Sequence, residues 1–194
     1  MPLRSAIRPI LLVGILVASL IPVGAASAGG GCTITGTQSD DRLMGTNGSD
    51  VICGLGGSDR IRGRGGGDVI RGGPGRDVLY GNAGGDAIVG GGGNDLMFAG
   101  RGADLSRGGL GNDVGSVDSA GPDTWHGGPG RDHLTDFRGA DRILGGPGGD
   151  RCLATEDGVG DDAISGGPGR DIGDADPGDR VSSVELQGLV CYAG

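Results

Sequence analysis

The chain has 194 residues, of which 49 are glycine and only 3% aromatic, with a formal net charge of -9 at pH 7. So few large side chains leave an ordinary globular core hard to build, and an acidic chain without a single lysine has no basic stripe for nucleic acid or for an anionic membrane surface. Glycine at this level usually marks a linker or collagen, but linkers keep no nine-residue phase and collagen repeats every three residues.

At the N-terminus Arg4 and Arg8 precede an apolar run from Ile10 to Val23, and Ala26-Ser27-Ala28 comes next. This is the three-part plan of a secretory signal peptide, residues 1–28, with cleavage predicted after Ala28. The run of about 14 apolar residues is short of the roughly 20 that span a bilayer, so membrane insertion is not expected. Loss of residues 1–28 removes two arginines and moves the formal charge from -9 to -11. Residues 29–35 are read as an N-terminal lead-in that caps the repeats.

From there an aspartate recurs every nine residues: Asp41, Asp50, Asp59, Asp68, Asp77, Asp86, Asp95, Asp104 and Asp113. The beat resumes one residue late at Asp123, Asp132, Asp141 and Asp150, and a third run holds Asp162 and Asp171. A glycine stands two positions before each aspartate from Asp50 to Asp171, and an aliphatic residue usually stands two positions after, as in Gly72 to Tyr80, GGPGRDVLY. A short period with glycines at fixed phase marks a stacked solenoid. The three residues around the aliphatic make a short strand that points it inward, and the glycine-rich stretch makes the turn. Two units give a coil of eighteen residues, with Leu43, Ile61, Leu79 and Met97 on one side facing Ile52, Ile70 and Ile88 on the other. The fold class expected is all-β, a solenoid of two parallel sheets of short strands.

Neighbouring coils lie about 4.8 Å apart, so aspartates eighteen residues apart stand over one another and repel. Calcium takes six to eight oxygens at about 2.3–2.6 Å, which fits one ion between two stacked aspartates with turn carbonyls completing its shell. Magnesium is smaller and insists on octahedral geometry, and the missing thiolates and imidazoles argue against zinc or copper.

The slips are expected to cut the ladders. Ser106 and Gly115 fall at the inward phase around the first one, so residues 105–122 are predicted to be the weakest part of the roll, with a break there between two stacks. The second falls at the insertion in residues 151–161. The four cysteines suit two disulfides in an exported chain, since no C-x-x-C pair occurs. Chain order suggests Cys32 with Cys53 and Cys152 with Cys191. In perfect register, however, Cys32 lies under Asp50, three residues along the strand from Cys53 and too far for a bridge. Either the lead-in departs from register or the pairing is different. Cys152 takes the inward phase, so Cys191 reaches it only if the tail, residues 174–194, folds back as a cap.

Repeats such as GGPGRDVLY, GGPGRDHLT (Gly127 to Thr135) and GGPGRDIGD (Gly166 to Asp174) resemble the RTX, or hemolysin-type, calcium-binding repeat family over residues 36–173. The resemblance implies a right-handed parallel β-roll, with calcium held between coils by the motif aspartates and turn carbonyls. Carried onto this chain, it makes the thirteen aspartates from Asp41 to Asp150 the metal ligands. They form seven pairs in the first block, from Asp41 with Asp59 to Asp95 with Asp113. Asp123 with Asp141 and Asp132 with Asp150 raise the ceiling to nine ions. An N-terminal leader and four cysteines depart from the members that leave through a C-terminal signal and lack cysteine. Toxin-like function is therefore not carried over, and the closer likeness is to stand-alone exported bacterial members of the family.

No H-E-x-x-H or G-x-S-x-G occurs, and His126 and His133 fall at outward strand phases, so no enzyme is expected. The function read is a secreted, extracellular calcium-binding protein that folds as it takes up the ion. The alternative is an adhesive or matrix protein in which calcium is only structural. An outward patch of Val78, Tyr80, Leu96 and Phe98, with Tyr80 stacked against Phe98, offers a surface for self-association or docking.

Overall fold

The computed structural model describes residues 31–117, 121–136, 138–155, 162–175 and 177–186, and all regular structure among them is strand. In chain order the strands are β1 (Ile34–Thr35), β2 (Arg42–Met44), β3 (Val51–Cys53), β4 (Arg60–Gly65), β5 (Val69–Pro74), β6 (Val78–Ala83), β7 (Ala87–Gly92), β8 (Leu96–Arg101) and β9 (Leu105–Leu110). Next come β10 (Val114–Val117), β11 (Thr124–His126), β12 (His133–Asp136), β13 (Arg142–Leu144), β14 (Arg151–Thr155), β15 (Ala163–Ser165), β16 (Ile172–Ala175), β17 (Arg180–Ser182) and β18 (Glu185–Leu186).

Odd-numbered strands make one nine-stranded sheet and even-numbered strands the other, each strand parallel to the one two places on. The chain thus crosses from sheet to sheet at every turn and gains one coil per two repeats. Pairing is offset by eighteen residues through the first block, as in Ile61 with Leu79 and Ile52 with Ile70. The stacked solenoid of two parallel sheets that the repeat predicts is the fold observed.

Between the sheets lie the expected aliphatics. Ile52, Ile61, Ile70, Leu79, Ile88 and Met97 are fully buried, and Ile34 and Leu43 pack against them at the N-terminal end. On the outer face Val78 pairs with Leu96 and Tyr80 with Phe98. The two rings stack with centroids 5.0 Å apart, and the guanidinium groups of Arg60 and Arg62 lie 5.4 and 5.3 Å from the Tyr80 ring centroid.

The slips do not divide the solenoid. β10 pairs with both β8 and β12, and β11 with both β9 and β13, the offset growing to nineteen residues in Val114 with His133 and Leu105 with Thr124. The predicted hollow at Ser106 and Gly115 is filled by Trp125, which pairs with Ser106 and is 1% exposed. A Cβ built on Gly115 would strike the Trp125 ring, so the missing side chain on one sheet makes the room that the indole takes from the other. The second insertion is absorbed in the same way, with Ile143 opposite Ile164 at an offset of twenty-one. In β14 the register shifts between His133 and Thr135 of β12, and Leu153 holds the buried place where Cys152 was expected.

Cys32 and Cys53 are joined, their Cα atoms 6.0 Å apart. β1 keeps register, with Thr35 beside Cys53, and the chain bends at Thr33 and turns at Gly31. Of the two alternatives the first holds: the lead-in departs from register before β1, and this brings Cys32 within reach. The pairing of Cys152 with Cys191 lies outside the described residues, as does the leader.

Candidate metal centre

Every repeat aspartate sits at the junction between turn and strand, and those from Asp50 to Asp171 are buried. From Asp59 onward each uses one carboxylate oxygen in the same way. The N–H of Asp41 donates to Asp59 Oδ1 at 2.8 Å, that of Asp50 to Asp68 Oδ1 at 2.8 Å, and that of Asp59 to Asp77 Oδ1 at 2.8 Å. The pattern continues through Asp68 to Asp86, Asp77 to Asp95, Asp86 to Asp104 and Asp95 to Asp113. Asp123 likewise donates to Asp141 and Asp132 to Asp150. All nine expected pairs are therefore in direct contact, main chain to side chain.

The ladders also run across the slips, where the change of phase predicts a cut. Asp104 N–H donates to Asp123 Oδ1 at 2.6 Å and Asp113 N–H to Asp132 Oδ1 at 2.8 Å. Further on, Asp141 reaches Asp162 at 2.6 Å and Asp150 reaches Asp171 at 2.9 Å. The contacts hold across both slips because the strands on either side re-pair. Asp162 and Asp171, left off the expected set of ligands, belong to the same ladders; their phase after the insertion was the signal.

The second oxygen is different. Oδ2 of Asp59, Asp68, Asp77, Asp86, Asp95, Asp104, Asp113, Asp132, Asp150 and Asp171 is buried without any hydrogen-bond donor. A buried charged oxygen left unpaired is among the costlier things a fold can contain, and here it recurs in these ten turns. Its surroundings are also repeated. A Cβ built on Gly72 would fall against both Asp77 Oδ2 and the Gly90 carbonyl oxygen, and one on Gly127 against Asp132 Oδ2 and the Gly145 oxygen. The first glycine of the repeat is thus required by the crowding of a carboxylate oxygen and a carbonyl oxygen from the next coil, two hard oxygen donors beside one another. Among the described residues no three His, Cys, Asp or Glu side chains converge as a metal cluster. Each of these sites offers few carboxylates and depends on the main chain, which suits calcium and not zinc.

Burial governs the protonation of these groups. It pushes Asp95 and Asp132 up to about 7 and Asp86, Asp104 and Asp150 to about 6, while the N–H of the preceding ladder aspartate pulls the other way. Neighbouring ladder carboxylates raise them further. Asp50 moves in the opposite direction. Its Oδ2 accepts from the Thr46 main-chain N–H at 2.6 Å and from Thr46 Oγ1 at 2.9 Å, and these bonds hold it below the usual range. Asp41 is bonded in the same manner by Thr37, at 2.5 and 2.9 Å. The two threonines were not singled out in the sequence; both stand where the repeat has its second glycine.

His126 and His133 are half-buried on the outward phases, and burial lowers the pKa of each, with Arg107 and Arg142 adding to the effect at His126. Pockets in the surface are shallow and lie over strand faces, one of them lined by Arg42, Leu43, Met44, Arg60 and Arg62.

No curated protein matches the chain. The family model for the RTX calcium-binding nonapeptide repeat (4 copies) matches residues 35–70, 53–88, 62–97, 80–114 and 118–152, which together cover more than half of the sequence. Ladders of buried aspartates over glycine turns, at the period that this family prescribes, make the assignment secure at the level of the fold as well: the chain belongs to the RTX calcium-binding nonapeptide repeat family.

Proposed function

We propose that this protein is an exported, non-catalytic calcium-binding protein whose ion uptake and folding are one event. The observation that carries the reading is the row of buried Oδ2 atoms without donors. Each is an acceptor withdrawn from water with only carbonyl oxygens for company, and a bound divalent cation supplies the positive charge that such an arrangement lacks. The residues that would hold it are Asp59, Asp68, Asp77, Asp86, Asp95, Asp104, Asp113, Asp123, Asp132, Asp141 and Asp150, joined by Asp162 and Asp171 of the same ladders, with the first-glycine carbonyls of the following coil. Coupling to folding is expected from the small core. Each coil buries about two large side chains, and hydrophobic burial alone is a weak restraint on so much glycine. Without the ion, stacked carboxylates oppose the closed coil; neutralised, they tie one coil to the next.

Export is supported by the Cys32–Cys53 disulfide, since such bonds persist in oxidising compartments, and by the leader-like residues 1–28. Titration with calcium, followed by circular dichroism and by native mass spectrometry, tests the reading. A gain of β signal that saturates together with a count of several bound ions is expected; an unchanged spectrum at millimolar calcium refutes coupled folding.

A second reading, an adhesive or matrix protein with calcium as a structural ion, draws on the outward ladder of Val78, Leu96, Tyr80 and Phe98, in which the two rings stack. Sedimentation in calcium separates the two: self-association through this face requires the Phe98→Asp variant to sediment as a smaller species than the parent.

A further inference from the structure

One backbone position separates the first two turns from the later turns whose corresponding residue is described. It is the fourth residue before the aspartate. Ahead of Asp59, Asp68 and Asp86 it is Leu55, Arg64 and Asn82, with φ of 83°, 87° and 78°. In the other described turns whose Oδ2 lacks a donor it is a glycine, from Gly73 to Gly167, with φ between 96° and 121°. The left-handed conformation is therefore general in these turns, and three residues with side chains accept its strain.

Ahead of Asp41 and Asp50 the position holds Thr37 and Thr46, neither of which has a positive φ. Branching at Cβ makes the left-handed region especially costly for threonine. The peptide accordingly takes the other hand, and its N–H faces the carboxylate. Thr46 N–H and Oγ1 both donate to Asp50 Oδ2, Thr37 N–H and Oγ1 both donate to Asp41 Oδ2, and each threonine Oγ1 accepts in turn from the N–H two residues on, at 3.1 Å. In both turns the oxygen that is orphaned elsewhere is saturated by two donors whose hydrogens point where a cation would have to sit.

We infer that Thr37 and Thr46 close the turns of Asp41 and Asp50 in place of metal, so that the calcium sites begin at Asp59 and the solenoid starts on a calcium-independent coil. The inference rests on the proposed function and decides which repeats share in it. The two closed turns form one coil, and the Cys32–Cys53 disulfide fastens that coil to the lead-in. The first coil therefore has covalent and hydrogen-bonded restraints that the coils directly following it, from Asp59 to Asp113, do not show, and it presents β3 and the N-terminal edge of the even-numbered sheet as an ordered template for the rest of the stack. What selects a metal-free turn is a β-branched residue with a hydroxyl, four places before the aspartate.

Ion counting by native mass spectrometry on the full-length chain in saturating calcium tests this. Asp50→Asn is expected to hold as many ions as the parent, whereas Asp86→Asn holds at least one fewer. Thr46→Gly, which readmits the left-handed turn, is expected to add one ion, and Asn82→Thr, which forbids it, to remove one. Loss of an ion from Asp50→Asn, or an unchanged count in both Thr46→Gly and Asn82→Thr, overturns the inference while leaving the calcium-binding function standing. A parent chain that holds no ion overturns both. Should Asp50→Asn fail to fold, the opposite changes expected of Thr46→Gly and Asn82→Thr still decide the matter.

Discussion

Asp50 and Asp95 occupy the same phase of the same repeat, yet their electrostatics run in opposite directions. Hydrogen bonds from Thr46, the main-chain N–H first and the hydroxyl second, hold the Asp50 carboxyl below its ordinary range. Burial pushes Asp95 up to about 7 despite the N–H that Asp77 lends it. The repeat fixes where each carboxylate stands, although only from Asp59 onward is there a preceding coil to lend Oδ1 an N–H. Whether the remaining oxygen is content or in want of positive charge is decided four residues earlier, by the hand of one peptide. A nonapeptide that looks uniform by its aspartates thus makes two kinds of turn, and under the proposed function the central coils are the ones whose stability depends on something outside the chain.

The two kinds of turn differ in consequence only if ladders, and not chiefly the thin core, hold the central coils, and the slip is the severest place to ask. Trp125 is the largest of the fully buried side chains, and it spans the space left by Gly115. Trp125→Ala is expected to cost about 3–5 kcal/mol, measured by denaturant unfolding in saturating calcium. Adding Gly115→Leu, which clashes with the indole in the parent, should restore part of the loss. A cost below about 1 kcal/mol would mean that the ladders alone carry the slip coil.

A smaller effect separates the middle of a ladder from its end. Asp77 accepts from Asp59 and donates to Asp95, so it stands in two of the expected ion pairs. Asp77→Ala leaves the buried Asp59 N–H without a partner, a loss of about 1–3 kcal/mol before any ion is considered. Asp171→Ala removes the same kind of acceptor from Asp150, near the C-terminal end of the stack. Calcium-dependent unfolding midpoints should therefore fall further for Asp77→Ala. Equal shifts would contradict an eighteen-residue pairing in which each central aspartate serves two sites.

Much of this was legible in the sequence, because a nine-residue clock leaves few choices. Two sheets, the inward series from Leu43 to Met97 and the stack of Tyr80 on Phe98 all follow from period and alternation. Trp125 is harder to read, because the repeat marks its inward phase by aliphatic residues, although an indole satisfies the same burial when its opposite number is glycine. The continuity of the ladders at Asp123 and Asp162 is hidden for a different reason. An insertion read as a change of phase says nothing of whether the strands on either side re-pair, and here they do, so that the aspartate contacts are kept. At β14 a register shift of one residue exchanged Leu153 for Cys152 as the expected core residue, a change that period alone does not reveal. Thr37 and Thr46 read as imperfect glycines; their meaning lies in a dihedral angle.

The pH dependence of the calcium-free chain gives the finest division between the two kinds of turn. Burial first, then the neighbouring ladder carboxylates, raises Asp86, Asp104 and Asp150 to about 6 and Asp95 and Asp132 to about 7, from an ordinary value of 3.8. A carboxyl whose folded pKa is raised binds more protons folded than unfolded between those two values. Its contribution to stability is therefore present in full below about 4 and is lost as the pH climbs through 6 to 7. In chelator, the central coils should gain β signal on acidification from pH 8 to pH 5. Asp50, with its pKa lowered, has the opposite sign: its stabilisation is present above the unfolded value and is lost only as the pH falls through its own, lower pKa. Calcium reverses the trend for the central turns, since the ion requires the ionised form and protons compete for the same oxygens. The calcium concentration at the folding midpoint should rise as the pH is lowered from 7.5 to 5.5. A chelated chain whose β signal stays flat or falls toward pH 5 would show that the central carboxylates are not the groups that hold the coils apart.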